Sequence, residues 1–164
     1  MRKPDPVSAR TYDAIYRTPV APLGIKMQGS RLASIDWLPD AELPTLVSSS
    51  QSLIGVIRAL DQYFVDPEST NTIIYNLTGT PFQQRVWRAL QKIPPGKVMS
   101  YGQLARQLKT CSQAIGQACR TNPIAILIPC HRVVAAKGLG GYMGKQRQTR
   151  IKKWLLQHEG VSWL

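Results

Sequence analysis

The chain has 164 residues, of which 43% are hydrophobic and 18% charged, and its formal net charge is +12. That supplies a core for one domain or two small ones and excludes a disordered or collagen-like chain. No apolar run approaches the roughly 20 residues of a bilayer span, and Met1-Arg2-Lys3-Pro4-Asp5-Pro6 lacks a signal peptide's apolar stretch, so an intracellular, cytoplasmic protein without membrane contact is expected.

In chain order, short apolar stretches between Tyr12 and Leu38, broken by Thr18-Pro19 and Pro22-Leu23-Gly24, predict two or three antiparallel strands. Leu53, Val56, Ile57, Leu60 and Phe64 recur at helical spacing and predict an amphipathic helix that stops near Pro67. Ile73 to Leu77 reads as a closing strand. Thr80-Pro81-Phe82-Gln83 then combines an N-cap, a first-turn proline and a capping glutamine, which opens a helix ended by Pro94-Pro95-Gly96. Ser100 and Gln103 repeat the cap and open a second helix. After the turn Lys109-Thr110-Cys111, Ser112 caps a third, Gln113 to Arg120, which makes a helix-turn-helix candidate. Ile124 to Ile128, too short and too apolar for a surface helix, predicts a buried extended segment that delivers Pro129-Cys130-His131-Arg132 from the core. A glycine-rich loop, Gly138 to Gly144, surrounds Tyr142, and a last helix runs from Gln148 to His158. Its apolar face is Ile151, Trp154, Leu155 and His158, with Arg150, Lys152 and Lys153 facing out.

Charge divides the chain. Residues 1–78 carry seven Lys/Arg against eight Asp/Glu, whereas residues 79–164 carry fourteen against the single acid Glu159. The expected organisation is an N-terminal α/β scaffold domain, 1–78, and a basic C-terminal domain, 79–164, that faces a polyanion, nucleic acid first. A merely solubilising basic surface is the plainer alternative.

Three closely placed cysteines, Cys111, Cys119 and Cys130, are an odd number and argue for reduced thiols. Cys130 beside His131 and Arg132 has what a thiolate nucleophile needs, a nearby base and positive surroundings. Glu159, the only carboxylate of the basic half, is the candidate acceptor for the other imidazole nitrogen. Its position at a helix C-terminus, where an acid is disfavoured, supports a dedicated role. The competing readings are a zinc site, which lacks a C-x-x-C pair, a cysteine peptidase, which leaves the basic surface unexplained, and an inert buried cysteine. Cys111 and Cys119 are read as structural.

Ile128-Pro129-Cys130-His131-Arg132-Val133-Val134, with Asn122-Pro123, Gly141-Tyr142 and Trp154-Leu155-Leu156-Gln157-His158-Glu159-Gly160, resembles the O6-alkylguanine-DNA alkyltransferases, or methylated-DNA–protein-cysteine methyltransferases. Phe82-Gln83-Gln84-Arg85-Val86-Trp87 and Ser100-Tyr101-Gly102-Gln103-Leu104-Ala105 extend the likeness over residues 80–160, whereas the first half matches only loosely. The resemblance implies an α+β fold: a small antiparallel sheet plus helix, then a mostly helical, winged-helix-like domain. It implies a DNA repair protein, monomeric by default, that binds duplex DNA carrying O6-alkylguanine through the minor groove and flips the base. The alkyl group then passes once and irreversibly to Cys130, without a cofactor.

By motif, His131 is the base acting through a water, Glu159 orients it, and Asn122 fixes the turn before the cysteine. Tyr101 helps rotate the nucleotide, and Tyr101, Val133, Gly141, Tyr142 and Met143 contact the base. Gln113, Ala114, Gly116, Gln117, Arg120 and Arg132 contact DNA. Gln113 stands where the family usually carries an arginine that fills the flipped base's place. Residues 1–110 contain neither Cys nor His, so the N-terminal zinc of some members is not expected. An alkyltransferase-like protein that binds damage without transfer, and a helix-turn-helix regulator, are the alternatives.

Overall fold

The computed structural model describes residues 12–39, 50–69, 73–142 and 148–163. Strands β1 (Ala14–Arg17), β2 (Pro22–Gln28) and β3 (Arg31–Trp37) form an antiparallel sheet in the order β1-β2-β3. Thr18 makes the first connection a tight one, because its hydroxyl donates to the Ala21 carbonyl and accepts from the Val20 and Ala21 amides. Leu23, Ile25, Leu32 and Ile35 turn from this sheet into the core. Helix α1 (Gln51–Val65), capped by Ser50, lays Leu53, Val56, Leu60 and Tyr63 against it. The three strands lie within the predicted 12–38 stretch, although β2 runs through Pro22-Leu23-Gly24, and α1 follows the helical spacing in the sequence.

Two segments depart from expectation. Ile73 to Leu77 does not form a closing strand: Tyr75 makes a single parallel bridge to Leu32, fixed by the bonds from Leu32 N to Ile74 O and from Asn76 N to Leu32 O. The segment Ile124 to Ile128 is buried but not extended. Only Ile124 bridges the sheet, to Ile35, after which the chain turns and the Ile128 amide returns to the Ile124 carbonyl. Ile126 sits at φ 70°, a left-handed conformation that costs a β-branched residue free energy. Its side chain is buried, so packing holds the strained turn in place.

Helices α2 (Pro81–Leu90) and α3 (Tyr101–Gln107) start in reciprocal capping boxes, Thr80 with Gln83 and Ser100 with Gln103. Helix α4 (Ser112–Arg120) begins one residue earlier than predicted. Its N-cap is Cys111, with no side-chain cap bond, so Ser112 lies inside the helix and does not cap it. The α3–α4 pair is the helix-turn-helix, and Trp87 of α2 anchors it by donating to the Ala118 carbonyl at 2.8 Å. Strands β4 (Met99–Ser100) and β5 (Val133–Val134) pair in parallel, and helix α5 (Thr149–His158) closes the chain.

The ends of α1 and α5 lock together. Tyr63 and Phe64 pack edge-on and tilted against His158 and Trp154, and the His158 ring Nε2 bonds the Tyr63 carbonyl at 2.9 Å. Buried residues from the sheet, α1 and the helical half make one continuous hydrophobic cluster. No helix among the described residues is long and apolar enough to cross a membrane.

Candidate active site

Cys130, His131 and Arg132 form a single 3-10 turn between the buried 124–128 segment and β5. The sharp turn lets neighbouring side chains point at different partners within one buried volume. His131 is fully buried, and its Nε2 lies 2.7 Å from Glu159 Oε1. An ionised carboxylate only accepts, so Nε2 carries the proton and Nδ1 presents the lone pair. Nδ1 has no hydrogen-bond partner among the described residues, which leaves it open to receive a proton.

Glu159 accepts on both oxygens. Arg132 donates from Nε to Oε2 and from Nη2 to Oε1, both at 2.9 Å, and Tyr63 donates to Oε1 at 2.8 Å. Burial works to raise this carboxyl, but bonds and charge from His131 and Arg132 prevail and hold it well below the usual carboxylate range. For His131 burial dominates and pushes the imidazole below its ordinary value, so the ring is neutral at pH 7 and able to act as a base. Gly96, at φ 76°, brings the turn after α2 against this end of α5. A Cβ there would meet the Glu159 carbonyl at 2.9 Å.

Asn122 organises the approach to the thiol. Its Nδ2 donates to the Ile128 carbonyl at 2.8 Å and to Cys130 Sγ at 3.2 Å, while Oδ1 accepts from the Ile124 amide. The thiol is 2% exposed, and burial pushes it up to about 11, against the lowering influence of Asn122, Lys152 and the Tyr142 hydroxyl. The cysteine is therefore protonated at rest, and its nucleophile has to be generated during reaction.

A cavity of about 330 Å³ lies between α3, α4 and the 141–142 segment, lined by Tyr101, Gln113, Gly116, Gln117, Cys119, Arg120, Gly141 and Tyr142. It falls within the range of small-molecule pockets, about 300–1,000 Å³. Burial raises the hydroxyls of Tyr101 and Tyr142 above their ordinary value, so both stay protonated at neutral pH. Tyr101 donates to the Gly141 carbonyl at 3.3 Å, and Gly140 at φ 73° lets the loop approach its ring. Tyr142 bonds Cys130 and so connects the cavity to the thiol.

Most predicted residues converge here, with two corrections and one that falls outside. Arg132 is not a DNA contact: it is 7% exposed and all its bonds go inward, to Glu159 and to the Ile93 carbonyl at 2.6 Å. Lys152 does not face out. It is fully buried, donates to the carbonyls of Val133 at 2.6 Å and Gly141 at 2.8 Å, and lies over the Tyr101 ring. Burial brings its ammonium down to about 8. Tyr142 lines the cavity, with its hydroxyl bonded to Trp37 and Cys130. Met143 lies outside the described residues. Val133 is buried, and its carbonyl already accepts from Lys152.

Sequence reasoning missed Lys152, Trp37 and Tyr63. Leu155 and Leu156, three and four residues beyond Lys152, are both buried and were the available signal for the first. Cys119 lines the cavity, and burial lifts its thiol far above the ordinary range, which keeps it a neutral wall.

Residues 81–161 match the family described as the 6-O-methylguanine DNA methyltransferase, DNA binding domain. A methylated-DNA–protein-cysteine methyltransferase of Metallosphaera sedula is 35% identical over 88% of this chain and 90% of its own length. One of Mycobacterium leprae is 38% identical over 90% of this chain and 93% of its own. The crystal structure of Mycobacterium tuberculosis OGT in complex with DNA superposes with a TM-score of 0.75 at 36% identity, covering 88% of this chain and 90% of that one.

Proposed function

This chain belongs to the methylated-DNA–protein-cysteine methyltransferases, and from that premise we propose that it repairs duplex DNA by taking the alkyl group of O6-alkylguanine onto Cys130. The observation that carries the reading is the buried relay, in which Glu159 fixes the His131 tautomer 2.7 Å away and the 3-10 turn sets Cys130 beside it. DNA is the partner, bound through the minor groove by α4, with Gln113, Ala114, Gly116, Gln117 and Arg120 toward the duplex and the flipped base in the cavity. The protein acts as a monomer, divided near residue 78 into a scaffold half and a DNA-binding half.

In the reaction His131 Nδ1 takes the Cys130 proton through a bridging water, and Glu159 stabilises the imidazolium. The sulfur attacks the alkyl carbon, the S–C bond forms as the C–O6 bond breaks, and the electron pair goes to the guanine. A hydroxyl at the cavity that can meet the developing charge makes the base a better leaving group, and Tyr101 has the one placed for it. Asn122 and Lys152 favour the thiolate as it forms. No step regenerates the thiol, so each molecule turns over once.

Intact-protein mass after mixing with a duplex that carries one O6-methylguanine tests this. The expected result is a single methyl increment on Cys130, absent in Cys130→Ser. An unchanged mass with retained binding to the modified duplex would replace the transferase with a damage-recognition protein, for which the uncharged Gln113 gives the only motive.

A further inference from the structure

The reaction proposed above uses no group of the sheet half, yet two of its side chains donate hydrogen bonds into the buried relay. Trp37, the last residue of β3, donates from its indole Nε1 to the Tyr142 hydroxyl at 3.0 Å. Tyr63, in the last turn of α1, donates to Glu159 Oε1 at 2.8 Å. Both bonds are buried and span 105 and 96 residues of sequence. We infer that Trp37 and Tyr63 are positioning residues for alkyl transfer, Trp37 holding the Tyr142 hydroxyl on Cys130 and Tyr63 holding the Glu159 carboxylate on His131. This rests on Cys130 being the acceptor and His131 its base.

At the thiol end the argument is one of proton count. A tyrosine hydroxyl has one hydrogen, and an indole N–H only donates. With Trp37 directed at the Tyr142 oxygen, the hydroxyl hydrogen is left for Cys130, where it favours the thiolate. Without Trp37 the Tyr142 oxygen loses the donor that orients its hydroxyl, and the thiolate loses an oriented donor.

At the other end, Oε1 of Glu159 receives three donors, His131, Arg132 Nη2 and Tyr63, while Oε2 receives Arg132 Nε. Tyr63 therefore draws negative charge from the very oxygen that faces the imidazole. A carboxylate with fewer donors is more basic and holds a proton on its histidine harder. The hydroxyl is held where it acts, because the Tyr63 carbonyl is bonded to His158 and its ring packs edge-on against that imidazole.

The test is the single-turnover rate of methyl transfer from an O6-methylguanine duplex to the full chain between pH 5.5 and 9, with duplex affinity and thermal melting measured alongside. Tyr63→Phe is expected to move the acid limb to higher pH by about half a unit to one unit and to slow transfer severalfold at pH 6. Trp37→Phe is expected to slow transfer about tenfold at pH 7 and to move the thiolate limb upward. Neither changes duplex affinity. Tyr16→Phe, which deletes a comparable hydroxyl bonded to Asp61 at 2.6 Å in the same half, should superimpose on the parent protein. Profiles for folded Tyr63→Phe and Trp37→Phe that also superimpose would overturn the inference. Tyr63→Phe removes a single oxygen and decides it alone should Trp37→Phe not fold. A parent protein that gains no methyl on Cys130 would instead remove the assignment beneath it.

Discussion

Among the described residues, Arg132 and Lys152 are the two cations of the helical half that are buried, and each has its charge tied to the relay. Arg132 neutralises Glu159, so Arg132→Ala would strand a buried carboxylate and cost about 3–5 kcal/mol, read from urea unfolding. The sign with pH follows from the carboxyl's lowered position. Its stabilisation is present above the ordinary carboxylate value near 4.3 and is lost as pH falls through the folded value below that. Arg132→Ala raises that folded value and should begin to lose stability at a higher pH. Lys152 acts on the thiol instead. Lys152→Met removes a cation that favours the thiolate, so iodoacetamide labelling of Cys130 at pH 7 should slow, by about tenfold for each unit the thiol rises. An unchanged labelling rate would detach Lys152 from the thiol. Lys152 was legible only through Leu155 and Leu156 on its helix face, a signal outweighed by Arg150 and Lys153, which read as a solvated face, and Arg132 in a basic half reads as a phosphate contact.

Elements whose signals are local were legible and those made by distant partners were not. Thr80 and Ser100 announce α2 and α3 because a capping box needs only four consecutive residues. The sheet was readable from short apolar stretches between turn formers, and the Glu159–His131 pair from the singleness of one acid in a basic half. The parallel bridge of Tyr75 to Leu32 and the left-handed Ile126 depend on what the sheet offers across the fold, which no window of sequence contains. Helix α4 shows the same limit in reverse. Its N-cap, Cys111, has extended backbone angles (φ −110°, ψ 158°) suited to a capping side chain, but supplies none. Cys111 is exposed, so Cys111→Ser should satisfy one free amide at the start of α4 and stabilise the protein by about 0.5–1.5 kcal/mol. A urea midpoint that does not rise would mean that solvent already satisfies that amide.

The whole molecule separates charge by half while sharing one core. The groups proposed to react lie in the basic half that also carries the helix-turn-helix, and among the described residues the near-neutral half donates side-chain hydrogen bonds to their network through Trp37 and Tyr63. Of the fourteen basic residues after position 78, burial removes Arg132 and Lys152 from any contact with phosphate. Arg106, Lys109 and Arg120 are exposed on the helix-turn-helix, and Arg120 also borders the cavity. Each phosphate neutralised by such a cation releases counterion and steepens the fall of affinity with salt by about 0.9 in the logarithmic slope. Replacing all three by alanine in the full chain should therefore flatten that slope by about 2 to 3. Arg58→Ala, on the exposed face of α1 in the near-neutral half, should leave it unchanged. Fluorescence anisotropy of a labelled duplex between 50 and 200 mM salt distinguishes the two cases. Equal slopes for the triple variant and the parent would move the DNA-binding surface away from α3 and α4.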